Sequence, residues 1–185
     1  METGRKELNE KLRKIRAIFM DVDGVLTDGS AVFINGDSPK VWNVRDRLAL
    51  KALKRLLGEN IVLIWVSGRP CGELEARASE LGIDRAYSNV PEKYGVMEAE
   101  LSRRGLSFEE ALYIGDDLVD LQCMEAAGIS CAPSDAAAEV LSEADYISPL
   151  PGGKGAVRDI IELFLKAAGR WDELVGKYRR YGGLN

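Results

Sequence analysis

The chain has 185 residues, is 46% hydrophobic and carries a formal net charge of −5; it is long enough to bury a sizeable core and lacks the basic excess of a nucleic-acid surface. Histidine is absent, which removes Ser-His and Cys-His nucleophiles and imidazole metal sites, so chemistry must run on carboxylates, hydroxyls, Lys or Arg, and any metal bound by oxygen is a hard cation such as Mg2+. No apolar run approaches the roughly 18 residues that span a bilayer, and the polar start lacks a signal-peptide core, so a cytoplasmic protein with no membrane partner is expected. Cys71, Cys123 and Cys131 have no paired metal-ligand spacing and read as free thiols.

Residues 7–16 carry Leu8, Leu12 and Ile15 at helical spacing and predict a short N-terminal helix. The apolar run 18–20 then reads as a buried strand that breaks at once into Asp21 and Asp23, one residue apart, before Gly24. Two short runs containing β-branched and aromatic residues flank Asn35 and Gly36, which predicts a β-hairpin across 31–43 that projects from the domain. Apolar residues at 48, 50, 53, 56 and 57 predict a helix that stops at Gly58.

Residues 61–66 form a continuous apolar run of the kind expected for a central parallel strand, ending in Ser67-Gly68-Arg69. Helices are predicted at 73–81, 93–104, 121–127, 136–142 and 156–168, with strands at 86–88, 111–114, 129–132 and 146–147. Residues 171–185 read as a terminal helix and tail. The alternation of strands and helices predicts one α/β domain over 1–185, a doubly wound parallel sheet with its core at about 15–168.

Polar groups fall where these strands end: Asp21 and Asp23, Ser67, the region before Lys93, and Asp116, Asp117 and Asp120. Each alone has a structural explanation in a turn, a solvated lysine or a helix cap. Together they stand at one edge of one sheet, where open α/β folds bind ligands. Several carboxylates with one hydroxyl and one ammonium suit Mg2+-assisted phosphoryl transfer.

These four motifs, Asp21-Val22-Asp23-Gly24-Val25, Ser67-Gly68-Arg69, Lys93 and Gly115-Asp116-Asp117-Leu118-Val119-Asp120, resemble those of the haloacid dehalogenase superfamily of phosphatases, in the family's order. The resemblance implies a Rossmann-like fold of that type, Asp21 as a nucleophile forming an aspartyl-phosphate, Asp23 as acid and then base, and Ser67 and Lys93 holding the phosphoryl group. It also implies Mg2+ held by Asp21, the Asp23 carbonyl and Asp116, with Asp117 adjacent and Asp120 behind. The short spacing from Asp23 to Ser67 and from Lys93 to Asp116 leaves no room for an inserted cap domain.

With Asn43-Val44-Arg45-Asp46 and Gly152-Gly153-Lys154-Gly155 added, the chain is similar to a capless branch acting on keto-sugar phosphates. Its members hydrolyse 3-deoxy-D-manno-octulosonate 8-phosphate in lipopolysaccharide biosynthesis, or nonulosonate 9-phosphates. That branch implies a homotetramer with shared active sites, and a small acidic sugar phosphate held by Arg45, Arg69 and Lys154. The chain departs from it at Arg47, where the branch has glycine, and at Lys154, where it has arginine. Arginine at 69 favours the eight-carbon sugar. The alternatives are a nonulosonate 9-phosphatase and a non-catalytic assembly module; a phosphoryl-accepting receiver domain would have no use for Asp23.

Overall fold

The structure, a computed structural model, describes residues 2–33 and 39–183. Helix α1 (Glu2–Leu12) leads into β1 (Ala17–Met20), followed by α2 (Val44–Leu57), β2 (Val62–Val66), α3 (Leu74–Leu81), β3 (Arg85–Tyr87) and α4 (Tyr94–Arg104). Then come β4 (Ala111–Ile114), α5 (Leu121–Ala126), β5 (Ile129–Ala132), α6 (Ala138–Glu143), β6 (Tyr146–Ile147), α7 (Ala156–Ala167) and α8 (Trp171–Tyr181). The strands form one parallel sheet in the order β3-β2-β1-β4-β5-β6. Strand β1, which leads into Asp21, is therefore central, with β2 and β4 in hydrogen-bonded register on its two sides.

Period-two alternation in the strands sorts the core into two layers. Ile18, Met20, Leu63, Trp65, Leu112 and Ile114 face one layer, which α2, α3, α7 and α8 cover through residues such as Leu53, Leu81, Ile160 and Leu174. Phe19, Ile64, Val66, Ala111 and Tyr113 face the other, closed by Met97 and Leu101 of α4, Cys123 and Met124 of α5 and Val140 of α6. No cap domain is inserted among the described residues, and none of their helices is long and apolar enough to cross a membrane.

Several boundaries differ from expectation. Helix α1 ends at Leu12, because Arg16 is already engaged with the sheet: its N–H donates to the Glu110 carbonyl and its carbonyl accepts from Val62, both at 2.8 Å. Helix α2 starts at Val44, since the Asn43 side chain accepts from Arg45 N–H and caps it. The tip of the expected hairpin, 34–38, lies outside the described residues, and its described flanks form no strand. On the return flank, the Lys40 N–H and the Trp42 indole N–H both donate to Glu73 Oε1, while the Trp42 ring stacks on Trp65. The terminal helix expected from residue 171 is present as α8, docked on this chain by buried Leu174 and by Arg158 lying over the Trp171 ring.

Candidate active site

Parallel strands β1, β2 and β4 deliver their carboxyl ends to one crevice. Asp21 leaves β1 there and is only 5% exposed. Lys93, the residue before α4, sends its Nζ to 2.8 Å from Asp21 Oδ1 and 2.7 Å from Asp120 Oδ1. Asp120 is fully buried. Its Oδ1 also accepts from the Tyr113 hydroxyl at 2.8 Å, and its Oδ2 accepts from the Asp116 and Asp117 N–H groups at 3.1 and 3.4 Å. Both Asp120 oxygens are thus occupied. Its work is to aim Lys93 and to shape the Asp116–Asp117 turn.

Asp21, Asp116 and Asp120 each present an oxygen within 4.8 Å of the others. Burial, together with repulsion from Asp120, pushes Asp21 up to about 6 despite Lys93; burial and repulsion from Asp21 and Asp120 push Asp116 up to about 8. On Lys93 burial disfavours the charge, but Asp120 and Asp21 outweigh it and hold the ammonium above the ordinary lysine value. Asp116 Oδ1 is buried and has no hydrogen-bond partner. Crowded carboxylates with one orphaned oxygen fit a divalent cation, and the oxygen-only donor set fits Mg2+. With Asp120 spoken for, the side chains free to hold that ion are Asp21 and Asp116.

The backbone enforces this crowding. Gly24 has φ +93°, and a Cβ there would lie 1.9 Å from Asp116 Oδ2. A Cβ at Gly152 would fall 1.7 Å from the Gly24 carbonyl oxygen, so loop 152–154 rests directly on the loop that carries Asp23.

Asp23 stands at the crevice edge, its side chain 18% exposed. Oδ2 lies 3.1 Å from Ser67 Oγ and Oδ1 lies 2.5 Å from Lys40 Nζ. The Ser67 hydroxyl is itself fixed in the turn after β2, 3.1 Å from the Arg69 carbonyl and accepting from Arg69 N–H at 3.2 Å.

The structure brings Asp21, Asp23, Ser67, Lys93, Asp116 and Asp120 into one crevice. Asp117 is different: it is exposed, and its carboxylate caps the 3-10 turn Leu118–Asp120 by accepting from Leu118 N–H. Arg69 is exposed beside Ser67. Arg45 and Lys154 line a separate cleft of about 450 Å3 with Asp28, Trp42 and Asn43, and Lys154 pairs with Asp28 at 3.1 Å. Arg47 turns away to Glu80 on α3.

Lys40 and Tyr113 escaped the sequence reading. For Tyr113 a signal existed, because a phenol in a fully buried strand needs a partner for its hydroxyl. For Lys40 none did, since a lysine in a segment read as a projecting hairpin gives no sign of turning inward.

Known proteins resemble this chain in sequence and fold. Residues 87–160 match the model of the haloacid dehalogenase-like hydrolases. The 3-deoxy-D-manno-octulosonate 8-phosphate phosphatase of Salmonella typhi is 36% identical over 169 residues, covering 90% of this chain and 88% of that protein. A crystal structure of the 3-deoxy-D-manno-octulosonate 8-phosphate phosphatase from Moraxella catarrhalis, in complex with magnesium ion, phosphate ion and KDO, superposes with a TM-score of 0.89. It is 33% identical and the match covers 94% of this chain and 98% of that one. The cobalt-bound enzyme of Haemophilus influenzae gives a TM-score of 0.80 at 36% identity, covering 87% of this chain and 93% of that one.

Proposed function

Because the chain belongs to the haloacid dehalogenase-like hydrolases, we propose that it is a Mg2+-dependent phosphomonoesterase that hydrolyses 3-deoxy-D-manno-octulosonate 8-phosphate through an aspartyl-phosphate on Asp21. The observation that carries this reading is the convergence of Asp21, Asp116, Lys93 and Asp23 at the end of the central strands. Asp21 and Asp116, with the Asp23 carbonyl, are the groups that would hold Mg2+. Bound there, the cation supplies positive charge to the phosphoryl oxygens.

Asp21 attacks phosphorus while Asp23 gives a proton to the departing sugar oxygen, so one P–O bond forms as another breaks. Water then attacks the aspartyl-phosphate, Asp23 takes its proton, and inorganic phosphate leaves with Asp21 restored. Lys93 steadies the charge on the transferring group from a position that Asp120 and Tyr113 fix. Ser67 holds a phosphoryl oxygen from the carboxyl end of the neighbouring strand β2. Asp117 stays outside the chemistry as a cap. Arg69, exposed beside Ser67, is suited to bidentate contact with the sugar carboxylate, a geometry that lysine cannot reproduce. Arg45 and Lys154 form a basic rim in the neighbouring cleft.

The active species in this reading is a homotetramer in which neighbouring subunits cover the open crevice. Val32, Phe33, Val41 and Val44 support it as exposed apolar side chains on the segment beside the site.

The test is phosphate release, with Mg2+, from a panel of keto-sugar phosphates. The eight-carbon 8-phosphate is expected to give the highest kcat/KM, above nonulosonate 9-phosphates, and Asp21→Asn to lose about three or more orders of magnitude in turnover. Near-wild-type turnover by the Asn variant, with deamidation excluded, would end the covalent mechanism; a preference for nine-carbon substrates would end the sugar assignment.

A further inference from the structure

Asp23 is held from both sides, and both holds lead back to one strand. On Oδ2 the tie is Ser67, the residue that follows β2. On Oδ1 it is Lys40, whose side chain is 8% exposed although it belongs to an irregular segment without strand pairing. A lysine in such a segment should sample many rotamers in solvent, and confining one inside a crevice carries an entropic cost that something must offset. The structure contains the compensation. Glu73 Oε1 accepts from the Lys40 N–H at 2.9 Å and from the Trp42 indole at 3.3 Å. The Trp42 ring stacks on buried Trp65 with centroids 5.5 Å apart and planes 15° apart, and the Arg77 guanidinium lies 5.6 Å from the Trp42 ring centre. Trp65 lies two residues before Ser67 on β2. The lysine is thus referenced to the same strand as the serine.

We propose that Lys40, braced by Glu73 and the Trp42–Trp65 stack, is a positioning residue that fixes the Asp23 carboxylate in the orientation its proton transfers require. The inference rests on the phosphatase reading above. A group that transfers protons must meet the leaving oxygen within hydrogen-bond reach, and a carboxylate tied at one oxygen alone can turn about its last torsion. Lys40 holds Oδ1 even when the Ser67 hydroxyl turns from Oδ2 to a phosphoryl oxygen, and so restrains that rotation throughout. The ammonium acts through Asp23.

Lys40→Met keeps the length of the side chain and removes its charge. It is expected to lower kcat on the sugar phosphate by about ten- to a hundredfold with little change in KM, the scale of loss when a reacting group is misplaced by an ångström. The fall on an aryl phosphate, whose leaving group needs no proton, should be about tenfold smaller than on the sugar phosphate. Adding Lys40→Met to Asp23→Asn should cost nothing further, because the variant acts through a group already lost. Glu73→Gln should repeat the pattern more weakly.

Equal falls on both substrates, or a rise in KM at unchanged kcat, would overturn the proposal by making Lys40 a ligand of the substrate itself. A readout without turnover is acetic anhydride labelling followed by mass spectrometry. Lys40 should label several-fold more slowly than the exposed Lys166, and faster once Asp23 is Asn; labelling like Lys166 in the unaltered protein overturns the proposal, as does a rate untouched by Asp23→Asn. Inactivity of the unaltered protein on every phosphate would remove the phosphatase reading, while slow labelling released by Asp23→Asn would still establish the brace.

Discussion

At the scale of single residues, the centre is a set of charges arranged to be incomplete. Lys93 neutralises part of the pair Asp21 and Asp120, but Asp116 faces both with an oxygen that nothing satisfies. Mg2+ should therefore bind the folded chain and stabilise it. At a hundredfold excess over Kd the linkage amounts to about 2.7 kcal/mol, or roughly 5–10 °C in Tm for a domain of this size. Asp116→Asn removes one ligand charge and the repulsion around it. Its stability without metal should rise by about 1–2 kcal/mol, seen as a higher Tm, and the Mg2+ shift should disappear. Differential scanning fluorimetry with and without Mg2+ decides this, and a variant that keeps the full shift would show that the ion sits elsewhere.

Among the elements, α2 and α7 are joined by one buried carboxylate. Asp46 in the first turn of α2 accepts from Arg158 N–H at 2.7 Å and so caps α7 from outside, while its other oxygen is buried without a partner. Burial raises its pKa to about 6, against the smaller opposing pull of the Arg158 N–H. Between the ordinary aspartate value near 3.8 and about 6 the folded chain holds this proton more tightly than the unfolded chain. This group's contribution to stability must then fall as pH rises through that window and stay low above it. Asp46→Asn keeps the accepting oxygen and never ionises. It should flatten the decline by on the order of 2–3 kcal/mol between pH 4 and 7. Urea titrations at those two pH values measure it, and parallel slopes for variant and unaltered chain would rule Asp46 out as the source.

The same elements explain what could be read in advance. Strands β1, β2, β4 and β5 were legible because buried parallel strands are short, largely apolar runs, whereas the partly exposed edge strands β3 and β6 followed from the alternation of elements. The site motifs were legible too, since Asp21, Ser67 and Asp116 each come just after such a run, while Lys93 stands at the start of α4. The return of residues 39–43 was not. Its β-branched and aromatic residues fit a hairpin flank, whereas Trp42 is drawn to a tertiary partner, Trp65, distant in sequence. Lys40 was missed with it. The early start of α2 was lost for a related reason: Asn43 was counted with the hairpin, and its capping role depends on the chain turning there.

For the whole molecule, the open crevice and the apolar side chains beside it belong together. Phe33 and Val41 are each 73% exposed and Val44 is 75% exposed, all within the segment that approaches the site. In a homotetramer these side chains are expected to be covered by neighbours. Phe33→Asp should weaken association by about thirtyfold or more, the scale of a lost central contact, and activity should fall as the protein is diluted. Sedimentation velocity and activity measured over the same concentration range test this. A fully active monomer would refute the shared site.

The contact between Gly152 and Gly24 has a consequence for recombining this chain with its relatives. Loops 23–28 and 152–154 meet with no side-chain thickness between them, since a Cβ on Gly152 would strike the Gly24 carbonyl and one on Gly153 would strike the Thr27–Asp28 backbone. Segments that meet backbone to backbone have no side chain whose repacking could absorb a mismatch. A chimaera that takes one loop from one parent and the other from a second inherits whatever fractions of an ångström separate the parents at that seam. The two loops therefore form one heritable block although more than a hundred residues separate them. Outer helices that meet the sheet through deformable side chains alone, without a polar tie such as Asp46 to Arg158 N–H, can be exchanged one at a time.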